Sequence, residues 1–396
     1  PKTCEILALI TAPSYDPGIL VGRQRSKNYT LLYHDSIAKP LYDRGLLAEY
    51  PPGSPFKILT GLVALQEGVI NEQTSVACHH GFSYARGRFM RCHCHGGMLQ
   101  LHRGIYESCN AFFGTSYMKT INKYVKPGYA VDVWSKHVKS FGLGQFMGYD
   151  LPTGRKGNIP DSKTYKRIYP NGGWRSTAIV SNAIGQGEVL MTPIQLANMM
   201  ATIANKGYYY TPHIIKKIEG KPIDKKFTTK HVTTINKKYF KPIIDGLFDV
   251  YNLGTAYHLK VEGIDICGKT GTAENFAKIG GVRTQLEDHS IFVAFAPKDN
   301  PKIAIAVMVE NGGYGATIAG PIASLMIEKY LRRKITRTDL ETRILSRSLQ
   351  GQYAKLGGLS ETVKKEMRKQ DSIVRSKTAP SKIKKDTLQS IKKVTR

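Results

Sequence analysis

The chain of 396 residues has no stretch of about 18 uninterrupted apolar residues, which excludes a hydropathy-defined membrane-spanning helix within it. No signal peptide is legible either. An initiator methionine is missing too: Pro1 leads almost at once into the strand-like run EILALITA (Glu5–Ala12), which points to a fragment of a longer protein. Cellular location therefore cannot be read from the residues directly. Acidic residues are scarce, 30 Asp/Glu against 58 Lys/Arg, for a net charge of +28. No zinc-finger, RNA-recognition or helix-turn-helix signature accompanies that charge, so a nucleic-acid role is set aside.

What is present supports a folded domain. Hydrophobic residues make up 41% of the chain, enough for a sizeable core. The positive charge is concentrated at the end, where residues 331–396 hold 19 Lys/Arg against 6 Asp/Glu. Weak apolar periodicity there predicts a basic tail over 334–396, helical in patches or disordered, suited to acidic polymers or anionic lipid head groups.

Periodicity predicts helices over Ser54–Glu67, Asn110–Tyr124, Val131–Phe141, Pro193–Ala204 (Thr192 as N-cap) and Pro321–Tyr330. Strands are predicted at Glu5–Ala12, Ile264–Gly268, Ser290–Ala296 and Ile303–Val309. One strand early and several late imply an α+β domain over 1–333: a mainly antiparallel sheet assembled from both termini and flanked by helices, with a mostly helical insertion at about 60–255.

Three short motifs carry the chemistry. Ser54-Pro55-Phe56-Lys57 follows Pro51-Pro52-Gly53, a turn opening a helix. A serine there lies at the positive end of the helix dipole, and a lysine three residues on sits one turn away on the same face, able to take the hydroxyl proton once desolvated. Alone, S-x-x-K describes many ordinary helix starts. Ser108-Cys109-Asn110 and then Lys269-Thr270-Gly271-Thr272 change its weight, because S-x-x-K, S-x-N and K-T-G in this chain order form the signature of penicillin-recognising serine acyltransferases. In that scheme Ser108 relays protons with Lys57, and Asn110 holds a substrate amide. Lys269, Thr270 and Thr272 grip a carboxylate, Gly271 lets the acyl group approach, and the amides of Ser54 and Thr272 form an oxyanion hole.

The chain resembles the class B penicillin-binding proteins, in particular penicillin-binding protein 2, the elongation-specific peptidoglycan D,D-transpeptidases, in a form most like those of Bacteroidetes-type bacteria. YPPGSPFK, ESCNAFF, FGLG, DLPTGRKGNIP, IGQGEVLMTPIQLANMMATIANKG, CGKTGTAEN and HSIFVAFAP carry the likeness over roughly 1–333. It implies a penicillin-binding transpeptidase or serine β-lactamase-like fold and cross-linking of stem peptides through a Ser54 acyl-enzyme after release of terminal D-Ala. It implies inhibition by β-lactams and a place at the periplasmic face of the inner membrane, with an anchor and pedestal upstream of Pro1. Expected partners are a SEDS-type glycosyltransferase and elongation-complex proteins, met through those upstream regions. A serine β-lactamase would share the nucleophile, but no general base for water announces itself between Asn110 and Lys269; Glu188 reads as part of a helix-cap context. A β-lactam-sensing domain shares the motifs as well.

The stretch RCHCHGGMLQLHRGIYESCN (Arg91–Asn110) suits zinc, a disulfide pair or plain scaffolding. The resemblance implies a structural zinc beside the cleft, with Cys109 as a ligand projecting away from Ser108 and Asn110. Cys78 and His95 fit the family pattern; an acidic ligand used by relatives is replaced by Cys92 or else Cys94, with His79, His80 and His93 as substitutes. A disulfide among Cys78, Cys92 and Cys94 is the oxidised alternative, and a metallohydrolase built on CHCH would leave the serine motifs unexplained. Cys4 and Cys267 read as buried small hydrophobes, and Trp174 and Gly207–Tyr210 as packing.

Overall fold

In the computed structural model, which describes residues 1–35, 37–279 and 282–354, the sheet at the centre has three antiparallel strands: Ile303–Val309, His289–Ala296 and Cys267–Ala273, in that order. The middle strand is buried on both faces from Ser290 to Ala296, which is why HSIFVAFA is a continuous apolar run rather than an alternating one. Helices Pro193–Ala204 and Ala319–Arg332 both pack on the outer and middle strands. At the start of the first, Thr192 N–H donates to Gln195 Oε1, half of a capping box. No helix among the described residues is long and apolar enough to cross a membrane.

The helix Lys57–Gln66 is buried from Lys57 to Leu65, a core element rather than an amphipathic one. Asn110–Asn122, Leu101–Tyr106, Pro127–Lys139 and Phe240–Asn252 pack against it. Its apolar side chains share one core with the sheet, so the mostly helical segment is not walled off from the strands. Between Val76 and Leu99 two small antiparallel pairs form: Val76–Cys78 with Gly97–Leu99, and Gly81–Ala85 with Arg88–Arg91.

Three expectations need correction. The opening run does not join the sheet: Glu5 makes one bridge to His213, while Leu7 and Ile10 stay exposed. Apolar alternation supplies a strand's side chains but not its ladder partner, so the sheet comes from the second half of the chain. The strand expected to stop at Gly268 instead runs through the K-T-G motif to Ala273. Its glycines are sites of close packing rather than stop signals. Finally, the segment after 333 begins docked: Thr336 and Arg337 bond the carboxylate of the fully buried Glu328, and Arg337 also reaches Leu259 O and Ser324 Oγ. A buried carboxylate needs such partners. The rest of the expected tail, 355–396, lies outside the described residues.

Candidate active site

Ser54 begins a short 3-10 turn, Ser54–Phe56, that runs directly into the Lys57 helix. Gly53 before it has φ 61° and ψ −147°, a conformation open to glycine and strained for any other residue. A Cβ on Gly53 would lie 2.6 Å from Thr272 O, and one on Gly271 would lie 2.5 Å from Pro55 Cδ. The Ser54 turn and the K-T-G strand therefore meet backbone to backbone. Two glycines outside the three motifs complete the joint: a Cβ on Gly185 would strike the Gly53 carbonyl, and one on Gly315 would lie 2.8 Å from Gly271 N.

Lys57 is 1% exposed and its Nζ donates to Ser108 O at 2.6 Å and Ser108 Oγ at 3.0 Å. Burial pushes its ammonium down to about 8, with the nearby cysteines pulling weakly the other way. Lys269 is fully buried, donates to Thr270 O, and is held well below the usual lysine range by burial first and by the charge of Lys57 second. Neither lysine has a carboxylate partner among the described residues. Two desolvated amines close enough to repel each other make a pocket that favours an incoming anion and a neutral lysine. The hydroxyl of Thr255, unmarked in the sequence, bonds that of Thr270 at 2.8 Å.

Ser108 takes φ 58°, uncommon for a non-glycine residue. It does so because it ends the helix Leu101–Tyr106, where Ser108 N–H and Cys109 N–H return to Ile105 O and Gly104 O. The S-x-N segment is therefore a tight turn rather than an alternating strand, with Cys109 capping and Asn110 opening the helix Asn110–Asn122. Asn110 Nδ2 donates to Arg91 O at 2.7 Å, which leaves its Oδ1 open to a donor.

Cys109 points into a cluster with Cys78, Cys92 and Cys94, all buried, all sulfurs within 4.8 Å of one another. The nearest pairs are Cys92–Cys94 at 3.2 Å and Cys78–Cys94 at 3.4 Å, and all six cysteines are free thiols. Four thiolates around a tetrahedral zinc, with bonds of about 2.3 Å, stand about 3.8 Å apart, so this donor set fits a closed structural site. The amides of Asn110 and Phe112 donate to Cys92 and Cys109, as bound thiolates require. Hydrogen bonding from Cys109 pulls the Cys92 thiol well below the usual cysteine range. His95 is not brought to the cluster. Along CHCHG, Cys92, Cys94 and Gly96 are buried while His93 and His95 face solvent; Cys92 and His95, three apart in an alternating run, point oppositely, and His95 meets Glu107 instead. His79 and His80 are exposed as well. Cys4 and Cys267 are buried, as expected.

Glu188 is not a helix cap. Its carboxylate accepts from Tyr165 Oη at 2.8 Å, and Tyr165 accepts from Asn182 Nδ2.

The family model described as the penicillin binding protein transpeptidase domain matches residues 1–328. The chain belongs to this family. It is 32% identical over 338 residues to the peptidoglycan D,D-transpeptidase MrdA of Acinetobacter baumannii, aligning 81% of this chain with 48% of that protein. The chain thus spans about half the length of the curated relatives it matches. Pseudomonas aeruginosa PBP2, solved in complex with WCK 5153, superposes with TM-score 0.71 at 32% identity, over 83% of this chain and 72% of that one. The Helicobacter pylori PBP2 in complex with MreC superposes with TM-score 0.67 at 28% identity, over 81% and 57%. The α+β reading holds.

Proposed function

We propose that the chain is the catalytic part of a peptidoglycan D,D-transpeptidase in which Ser54 is the nucleophile. The observation that carries this is the buried Lys57–Ser108 pair, one turn beyond Ser54 and beside the K-T-G strand. Lys57, neutral for a substantial fraction near pH 8, takes the Ser54 proton as Oγ attacks the carbonyl of the penultimate D-Ala. The amides of Ser54 and Thr272 stabilise the oxyanion. Lys269, Thr270 and Thr272 hold the terminal carboxylate, and Asn110 Oδ1 accepts a donor-peptide N–H. Collapse breaks the amide bond; the proton passes through Ser108 to the departing D-Ala nitrogen and an acyl-enzyme remains. An amine of a second stem peptide then attacks this ester, restoring Ser54. A β-lactam follows the first half and stays attached.

The β-lactamase alternative is disfavoured by Glu188, whose carboxylate is engaged with Tyr165 rather than presented to a hydrolytic water. Cys78, Cys92, Cys94 and Cys109 would hold a structural zinc, whose chemistry is to clamp four thiolates and nothing more. His95 leaves that set and Cys94 enters it. As domains, we retain a transpeptidase unit over 1–333, extended to Arg337 by its contacts with Glu328, and a basic tail beyond. The names of the relatives support action on peptidoglycan, the MreC complex of the H. pylori relative supports a partner of that kind, and a solved peptidoglycan synthase complex that coordinates polymerization and crosslinking supports a polymerase partner of the SEDS type. A place at the periplasmic face of the inner membrane is what the resemblance to the elongation transpeptidases implies.

Intact mass after incubation with penicillin tests the proposal. One penicilloyl group should appear on the Ser54 peptide and persist for minutes or longer. A label on cysteine overturns the serine mechanism, and rapid turnover of a chromogenic cephalosporin reverses the choice against a lactamase.

A further inference from the structure

From Gln73 to Tyr106 the chain has no Asp or Glu, in a span with four arginines. Arg103 is paired with Glu107. Arg86, Arg88 and Arg91 are all exposed on the hairpin Gly81–Ala85/Arg88–Arg91, and among the described residues none of them has a carboxylate partner. In a protein of net charge +28, exposed guanidinium groups without a carboxylate of their own are open to an anion supplied by something else.

The position of the hairpin says what that something is. Its last residue accepts the Asn110 side-chain amide through Arg91 O at 2.7 Å, and the next residue, Cys92, accepts the Asn110 backbone N–H at 3.1 Å. The hairpin is thus attached to the residue offered to the substrate's peptide bond. Its inner face is fixed, since Phe82 packs so closely on Gly114 that a Cβ there would strike its ring. Cross-strand register pairs Phe82 with Met90 on that inner face, and Ser83 with Phe89 and Gly81 with Arg91 on the other. Arg91 therefore shares the outer face with Phe89, which is 53% exposed, while Arg86 and Gly87 form the turn. The outer face thus carries Phe89 and Arg91, Arg86 sits in the turn, and Arg88 lies at the turn end of the Met90 face; the strand that bears them ends against Asn110.

We infer that this hairpin is a carboxylate-reading subsite for the donor stem peptide, engaging its acidic side groups upstream of the bond that Ser54 attacks. The inference rests on the transpeptidase reading. Guanidinium forks suit carboxylates geometrically as well as by charge, and Phe89 offers apolar cover to the peptide between them. Lys269 deals with the terminal carboxylate; the hairpin deals with those further back.

The test is competition between a synthetic stem pentapeptide and a labelled penicillin for Ser54, using the peptide with free acidic side groups and the same peptide with them amidated. In the wild type, amidation should weaken competition on the order of tenfold, the range expected for three exposed charge pairs together. In the triple variant Arg86→Gln, Arg88→Gln, Arg91→Gln the free-acid peptide should compete only as well as the amidated one, and amidation should cost nothing further. An unchanged melting temperature shows that the variant is folded, as exposed side chains predict. An undiminished amidation penalty in the triple variant overturns the subsite, as does a wild type indifferent to either peptide, and so does a variant that loses only binding to a polyphosphate probe while keeping the penalty. Failure of penicillin to label wild-type Ser54 overturns the transpeptidase reading, and the subsite with it.

Discussion

The Ser54 turn and the cysteine cluster flank the same cleft and are held by opposite means. Around Ser54 the precision comes from side chains that are absent: Gly53, Gly185, Gly271 and Gly315 let the nucleophile turn, the K-T-G strand and the segment after strand Ile303–Val309 close on one another without intervening atoms. Around Ser108 and Asn110 it comes from side chains that are present, four sulfurs drawn together from positions 78 to 109. A backbone joint is rigid and intolerant of any addition. A sulfur joint depends on protonation, on a metal and on the redox state of its surroundings, so it can loosen while the fold stands.

That contrast can be broken experimentally, beginning where the effect is largest. Ser54→Ala should abolish penicillin labelling by intact mass, with an unchanged melting temperature. Next in size, Gly271→Ala should slow acylation on the order of 10²-fold, because shifting reacting groups by about an ångström costs that much. Gly53→Ala should do at least the same, with added backbone strain. If rapid-mixing acylation rates of both variants match wild type, the backbone joint is not what positions Ser54.

The pH profile sharpens the picture within the same joint. Burial disfavours charged Lys57 and brings its folded value to about 8, so the neutral base fraction rises as pH climbs through that value. Acylation should therefore fall about tenfold per unit below it. For stability the sign follows from the same shift: between about 8 and the ordinary lysine value the unfolded chain binds more protons, so Lys57 makes stability increase with pH across that window. A flat acylation profile from pH 6 to 9 would remove Lys57 as the base.

Smaller effects belong to the sulfur side. Cys109→Ser and Cys94→Ser should each lower zinc content by elemental analysis, raise hydrogen exchange over residues 78–110, and slow acylation several-fold through Asn110 and Ser108 rather than eliminate it. Zinc-free protein prepared without chelator, together with a disulfide found by mass, would replace the metal with an oxidised clasp. The smallest effect is the most discriminating: His95→Ala should leave zinc content unchanged, since its ring faces Glu107.

Some of this was legible beforehand, and the reasons differ by element. Helix Pro193–Ala204 and strand Ile303–Val309 match their expected limits because caps and apolar runs are local signals. The run at Glu5–Ala12 looked equally strand-like and is not one, since a ladder partner is not a local property. Cys109 was identifiable within its motif. Cys94 in place of His95 follows from the alternation of CHCHG, which puts Cys92 and Cys94 on the buried side and His93 and His95 on the exposed one.

Order along the chain determined the chemistry: a serine three residues before a lysine, then S-x-N, then K-T-G, with residue types that have few other uses together. Only the tertiary structure decided which lysine is buried against Ser108, that Lys57 and Lys269 share a pocket without a carboxylate, that Gly185 and Gly315 seal the joint, and that Arg337 returns to cover Glu328. Bond-forming groups advertise themselves by identity, whereas burial, charge coupling and close backbone approach depend on what distant segments bring to the same place.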